Sequence, residues 1–373
     1  MHLPSPASPK RVQNLKKPEQ ISTLPLLSVT AVILTVPFLC VWLFKESLYR
    51  VVEIAPYLVF HNFVEFFSII VSFSIFGLGW CAYNQNEDRY SLFISVAFFT
   101  IGLFDFMHAL SFTGMPSLIT PNVPNKASQF WLAARGTEAS TFLISAFIPL
   151  KCRWRLLSKT SLMCSALCLC TLVFTAVIFF PDYVPDTFIP GVGLTPFKIH
   201  AEYVIIFVLA ANLIIYWKRL SRTGDRTLNY YLAAFVICIF SELSFTLFKS
   251  FYDTYNMIGH IYKILAYVVV YTGIFAASIR KPYEDLRENR NILSLILNST
   301  GEGIYGIGLD NKCTFCNVSA MKMTGYAKPE QIVGADTHDL VHHSHLDGSH
   351  FTDSRDFFEK GSFLGHRLEK RNP

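Results

Sequence analysis

His61 and Glu65, Asp105 and His108, and Arg135 and Glu138 are ionisable pairs set inside long apolar stretches. The members of each pair are three or four residues apart, so on a helix of ~3.6 residues per turn both leave from one face. Imidazole, carboxylate and guanidinium groups in such clusters can ligate a metal, hold a charged ligand or hydrogen-bond one another. At bilayer depth a charged group costs about 2.5 kcal/mol or more unless it faces a polar interior, which makes these residues markers of a working site. The habit continues downstream, where Lys198, His200, Glu202, Glu242, Lys249, His260 and Lys263 also fall in or beside apolar segments.

The elements that must position them are membrane helices. The 373 residues are 52% hydrophobic and 16% charged, with mean hydropathy +0.37, against roughly 25% charged residues in a soluble domain. Runs of about 20 apolar residues cross the hydrocarbon, and eight can be drawn, near 23–44, 57–82, 91–112, 128–150, 160–180, 199–217, 229–249 and 257–279. The fold class read from this is an all-α polytopic membrane bundle of about eight transmembrane helices, with the lipid bilayer as its first partner and no nucleic acid. Every second loop is basic: Lys10, Arg11, Lys16 and Lys17, then Lys151, Arg153, Arg155 and Lys159, then Lys218, Arg219, Arg222 and Arg226, then Arg280 and Lys281. Lys and Arg accumulate on the cytoplasmic side, so both termini are expected there. The first apolar run is long and lacks a small-residue cleavage site, and it reads as a retained anchor, with Pro37 as a kink.

With that topology, ionisable residues from six helices meet in the outer leaflet half, and the inner half is nearly all apolar. A channel would need polar groups along its whole path, so the expected shape is a blind cup. Its candidate ligand-binding residues are His61, Glu65, Asp105, His108, Trp131, Arg135, Glu138, Lys198, Glu202, Glu242, His260 and Lys263. The plainer reading is that these groups form interhelical hydrogen bonds and ion pairs that set packing; a dozen on one side of the membrane favours a pocket. Within it, His61, Glu65, Asp105, His108 and Glu138 have the ligand types of a metal site. Alternatively, His61 and His108 are axial ligands to a haem, or Arg135, Lys198 and Lys263 hold an anionic organic ligand stacked on Trp131. No cofactor is identified by these residues; a metal ion or a haem is preferred to an organic ligand.

None of the nine cysteines falls in a predicted outside loop, so no disulfide framework is expected. Cys313 and Cys316 have the spacing of a zinc knuckle, but on a strand an offset of three places them on opposite faces. Residues 282–298 combine charge with Leu286, Asn289, Leu293 and Ile296 at heptad spacing, which suits a signalling helix that pairs two subunits. Beyond it, alternating apolar and polar residues around Asp310-Asn311 predict a hairpin followed by a helix. His338, His342, His343, His345 and His350 are read as a solvated loop, and the spacing of Gly301, Gly303 and Gly306 is rejected as a dinucleotide motif, because they follow a helix and enter a strand.

Residues 57–281 resemble the third type of membrane-associated sensor domain. The motifs that carry the resemblance are HNFVEFFSIIVSFSIFGLGW, FFTIGLFDFMHALSFTGMP, QFWLAARGTEA, GVGLTPFKIHAEYVI, SELSFTLF and NMIGHIYKILAYVVVYTGI. The segment ILNSTGEGIYGIGLDNKCTFCNVSAMKMTGY, followed by HDLVHHSHLDGSHF, is similar to the first two-thirds of a PAS domain, a partial α+β unit. The resemblance implies a receptor of the bacterial inner membrane that passes its signal through PAS to a histidine kinase or diguanylate cyclase. It also implies that the dozen residues named above occupy the recurrent polar positions of the family. After Phe351 the likeness weakens, and the expectation is that the output is read from a longer gene or another chain. The domain reading is a cytoplasmic lead at 1–22, a membrane sensor domain at 23–281, the signalling helix at 282–298 and a partial PAS domain at 299–373. The chain is expected to be a sensory input module and not itself an enzyme, homodimeric through 282–298. The other readings are a transporter, for which no internal repeat is visible, and a haem- or metal-dependent membrane enzyme.

Overall fold

The computed structural model describes residues 23–117, 119–148, 157–189 and 192–336. The expected lead at 1–22, the basic residues Lys151, Arg153 and Arg155, Cys152 and the histidines His338, His342, His343, His345 and His350 lie outside those residues. The chain divides into two compact units, residues 1–282 and 283–373.

The first unit is helical. Its elements are α1 (Thr23–Leu43), the short α2 (Lys45–Leu48), α3 (Ile54–Asn86), α4 (Arg89–Ser111), α5 (Pro124–Ser145), α6 (Lys159–Phe179), α7 (Pro196–Thr223), α8 (Leu228–Leu247) and α9 (Thr254–Phe275). Local chemistry sets their ends. The Asp88 carboxylate accepts from Tyr90 N and starts α4, Ser158 does the same for α6, and Asp253 for α9. Thr195 caps α7 with Pro196 in its first turn, where the missing N–H leaves no bond unmade. Gly224 ends α7 in the left-handed region at φ 67°, which lets a loop of four residues turn the chain back into α8.

Six helices among the described residues are long and apolar enough to cross a membrane, and α1 adds a shorter apolar stretch, Leu27–Leu43. The remaining predicted span, α5, has membrane length at 22 residues but is not apolar, because it carries Lys126, Arg135 and Glu138. The count is therefore six to seven apolar membrane-length helices, with α5 as a polar companion. Lys249 falls past the end of α8 instead of inside it.

Packing follows from the polar stripes. α3 packs on α4, α4 on α5, α5 on α7, α7 on α8, α8 on α9, and α9 returns to α3, which closes a ring of six. α1 lies outside this ring against α8, and α6 outside it against α4. On α3 the inward face reads His61, Val64, Glu65, Ser68, Ser72 and Ile75, all buried, whereas Val59, Phe63 and Ile70 are exposed. Such an inverted stripe suits a helix whose outer face meets lipid. The apolar core of the ring is built on Phe98, Phe104, Phe142, Phe235, Tyr216, Tyr231 and Tyr267.

At the ring's end formed by the close of α4 and the starts of α5, α7 and α9, loops cover the interior. Val52 N donates to Tyr252 O at 2.9 Å and Thr254 N to Arg50 O at 3.0 Å. A two-residue ladder pairs β1 (Phe188–Ile189) with β2 (Gly193–Leu194), and Phe188 packs on Phe251 with ring centroids 4.6 Å apart. After α9 come a π-helical turn, Ala276–Arg280, and α10 (Lys281–Ser299).

In the second unit Leu286, Leu293 and Ile296 of α10 are exposed. Strands β3 (Tyr305–Ile307) and β4 (Cys313–Cys316) pair antiparallel as the predicted hairpin. Asn311 adopts φ 61° in its turn, a conformation that asparagine tolerates well. α11 (Val318–Thr324) is capped by Asn317, whose Oδ1 accepts from Ala320 N at 2.8 Å and Ile304 N at 2.9 Å. The same side chain's Nδ2 donates to Leu297 O at 2.7 Å and Glu302 O at 2.8 Å, so one residue ties α10, the hairpin and α11 together. Cys313 is buried and Cys316 half-buried, both as free thiols.

Candidate functional site

The six helices of the ring are the six that carry ionisable residues inward. His61 and Glu65 come from α3, Asp105 and His108 from α4, and Trp131, Arg135 and Glu138 from α5. Lys198 and Glu202 come from α7, Glu242 from α8, and His260 and Lys263 from α9. All are buried, none more than 5% exposed. His200, by contrast, is exposed, and its Nδ1–H donates to Pro196 O of its own helix, 2.6 Å away.

Two cations organise the centre. Arg135 donates to both oxygens of Asp105 at 2.9 and 3.0 Å and to Glu138 and Tyr267. Its guanidinium also lies 5.0 Å from the Trp131 ring centroid. Lys263 Nζ lies 2.7 Å from Glu65 Oε2 and 3.2 Å from Asp105 Oδ1, with the Trp131 ring 4.9 Å away. Charges this deep are tolerated because each finds an opposite charge and hydrogen bonds at once. A second group joins Lys198 to Glu202 within α7. Glu242 of α8 is buried beside this pair, and Glu202 and Glu242 each retain a buried Oε2 with no hydrogen-bond donor.

Next to Lys263 the three histidines converge. His61 Nε2 and His108 Nε2 are 3.2 Å apart, and His260 Nδ1 is 2.9 Å from Glu65 Oε1. Among the described residues, His61, Glu65, His108 and His260 each offer a ligand atom, and these atoms all lie within 4.8 Å of one another. Asp105 and Glu138, expected among the metal ligands, face Arg135 instead, and His260 joins the cluster in their place. The reason is charge: a guanidinium buried on α5 draws these two carboxylates to itself.

Among the described residues the cluster is closely packed. Direct pairing fills the interior, the loops close over it, and a cavity of about 20 Å³ remains beside His108, Trp131, Lys198, Asn256 and His260. A porphyrin has no room there. Two nitrogens on opposite sides of a metal stand about 4 Å apart, further than His61 and His108, and no gap between those rings admits a macrocycle. An organic ligand of ordinary size, which needs a pocket of roughly 300 Å³ or more, does not fit this packing either.

Sequence reading passed over several partners. Tyr267 donates to Asp105 Oδ2 at 3.1 Å, and its spacing of four from Lys263 was the available signal. Cys238 Sγ lies 3.6 Å from Glu138 Oε1, and Tyr57 donates to Asn256 Oδ1. At the far end of the ring, Tyr90, Tyr216 and Ser145 join hydroxyls at 3.0 and 2.7 Å, so the half expected to be apolar holds a neutral polar knot.

Residues 52–282, the stretch that contains the whole ring and its buried cluster, match the family model described as a membrane-associated sensor domain, MASE3. The chain belongs to that family. Residues 291–358 match the PAS fold, so the MASE3 membrane sensor domain is followed by a PAS domain. The chain is accordingly a multi-pass membrane protein. Comparison with curated proteins found no match, and comparison with solved structures found none. In this MASE3 chain the buried ionisable residues lie on the inward faces of the six ring helices.

Proposed function

We propose that this chain is the input half of a bacterial inner-membrane signalling protein, with both termini cytoplasmic and the buried cluster near the outer face as the part on which the stimulus acts. The observation that carries the reading is that six helices turn their charged groups inward, where Arg135 and Lys263 pair with carboxylates of α3, α4 and α5. A stimulus that alters any member changes what holds α9 to α3, α4 and α5, because Lys263 touches carboxylates of both α3 and α4. α9 runs toward the π turn and α10, so a shift of α9 is the route to the PAS domain. The domain boundaries proposed are 23–281 for the sensor, 282–298 for the signalling helix and 299–373 for PAS.

The output is a histidine kinase or diguanylate cyclase that follows the PAS domain or is carried by a partner. Leu286, Asn289, Leu293 and Ile296 support a homodimer through α10, since heptad spacing on an exposed helix face matches a two-stranded coil. The stimulus must interact differently with two arrangements of the bundle, or it shifts nothing.

The test joins a kinase core after the PAS domain and compares autophosphorylation in vesicles. Asp105→Asn and His108→Ala, inserted at wild-type level, are expected to shift basal output by roughly fivefold or more, the effect of about 1 kcal/mol on a two-state equilibrium. Unchanged output in correctly inserted variants would remove the cluster from signalling.

A further inference from the structure

We infer that His61, Glu65, His108 and His260 form a binding site for one divalent transition-metal ion, and that Lys263 is the resident cation which the ion displaces from Glu65. The inference deepens the sensor reading and rests on it for the use made of the ion, although the binding site stands on its own geometry.

The donor set comes first. Three imidazoles and one carboxylate from α3, α4 and α9 are the ligands of zinc and its first-row neighbours, whereas Ca²⁺ and Mg²⁺ require mainly oxygen. Four donors within 4.8 Å of one another suit a single small ion. With metal–nitrogen bonds of about 2.0–2.1 Å, two nitrogens at neighbouring corners of a tetrahedron lie about 3.3 Å apart; His61 and His108 hold theirs at 3.2 Å.

Orientation is the second point. His108 Nδ1 lies 2.8 Å from the Ala127 carbonyl. A carbonyl only accepts, so Nδ1 bears the proton and Nε2 presents its lone pair to the cluster. A backbone carbonyl behind a ligating imidazole is the usual outer support of metal sites. Lys263 occupies Glu65 Oε2, which leaves Oε1 for the cluster.

The unmet atoms point the same way. His260 Nδ1 and Glu65 Oε1 are buried 2.9 Å apart without meeting hydrogen-bond geometry. Buried donors and acceptors are otherwise almost always paired. Across the ring, five carboxylates (Glu65, Asp105, Glu138, Glu202 and Glu242) face three permanent cations (Arg135, Lys198 and Lys263).

Lys263 makes the site a switch. An ammonium and a metal ion on one carboxylate repel, and Lys263 has other contacts within reach, Asp105 Oδ1 at 3.2 Å and the Trp131 face at 4.9 Å. Metal entry therefore moves the ammonium from α3's carboxylate toward α4's, and α9 carries the change. This supplies two arrangements with different affinity for the ion, as a population shift requires.

The experiment titrates the full chain, purified in detergent and stripped with a chelator, with Zn²⁺ against a chromophoric competitor. His342, His343 and His345 are replaced by Asn throughout to remove incidental binding by the C-terminal histidine run. The expected result is one Zn²⁺ per chain, at least tenfold weaker binding for His260→Ala and for Glu65→Gln, unchanged binding for the exposed control His200→Ala, and tighter binding for Lys263→Met. Co²⁺ bound at the same site should give a visible ligand-field absorption that His61→Ala alters, a readout that a general loss of packing would not produce. Substoichiometric Zn²⁺, or equal affinity in the wild type, His260→Ala and Glu65→Gln, would overturn the site. Stoichiometric binding with no change in the output of a joined kinase would support the site and overturn its use in sensing.

Discussion

Lys263 Nζ stands 2.7 Å from Glu65 Oε2, a contact between α9 and α3 made by residues 198 positions apart in the chain. Both side chains are at most 2% exposed, so neither has water as an alternative partner. Removing the ammonium would leave Glu65 buried and poorly compensated, and breaking a buried pair from one side costs about 3–5 kcal/mol. Lys263→Met is expected to lose that much in unfolding of detergent-purified protein, and Glu65→Gln with Lys263→Met to recover most of it. A loss below about 1 kcal/mol for the single variant would mean that the pair is not the link between these helices.

Arg135→Lys tests whether the centre needs a fork or merely a charge. The guanidinium serves Asp105, Glu138 and Tyr267 together; an ammonium at the same stem length cannot span them, so the exchange is not conservative. The expected cost is about 2–4 kcal/mol by the same unfolding measurement, and wild-type stability would show that the planar geometry is immaterial.

Close helix approach predicts an asymmetry among glycines. A Cβ at Gly79 would meet Ser95 Cβ at 2.6 Å, and one at Gly259 would meet the Phe245 ring at 2.5–2.9 Å. Gly79→Ala and Gly259→Ala should each cost about 1–3 kcal/mol through overpacking. Gly136→Ala meets nothing within 4 Å and should be neutral or stabilising by up to about 1 kcal/mol. Equal effects at the three positions would contradict the packing of α3 on α4 and of α8 on α9.

In the second unit Asn317 makes bonds to Leu297, Glu302, Ile304 and Ala320. Asn317→Ala should weaken this unit by about 2 kcal/mol, since it removes a helix cap and leaves backbone groups unsatisfied. Hydrogen exchange on the full chain would show it as faster exchange across β3 and β4 with the ring of helices unaffected; uniform exchange change in both units would refute a local role.

Membrane character, helix positions and the residues turned inward were legible in the sequence. Hydrocarbon leaves a buried charge one destination, and a spacing of three or four residues reports the face from which it leaves, so His61, Glu65, Asp105 and His108 identify the inner faces of α3 and α4 without coordinates. The turn at Asp310-Asn311 is local chemistry and was equally readable. Which charge meets which was decided by the tertiary structure alone. Pairing depends on the rotation and depth of helices far apart in the chain, and one buried guanidinium on α5 redirected Asp105 and Glu138 away from the imidazoles, while the return of α9 to α3 brought His260 beside His61. The same closure of the ring packs the cluster closely, because groups that pair directly need no cavity between them.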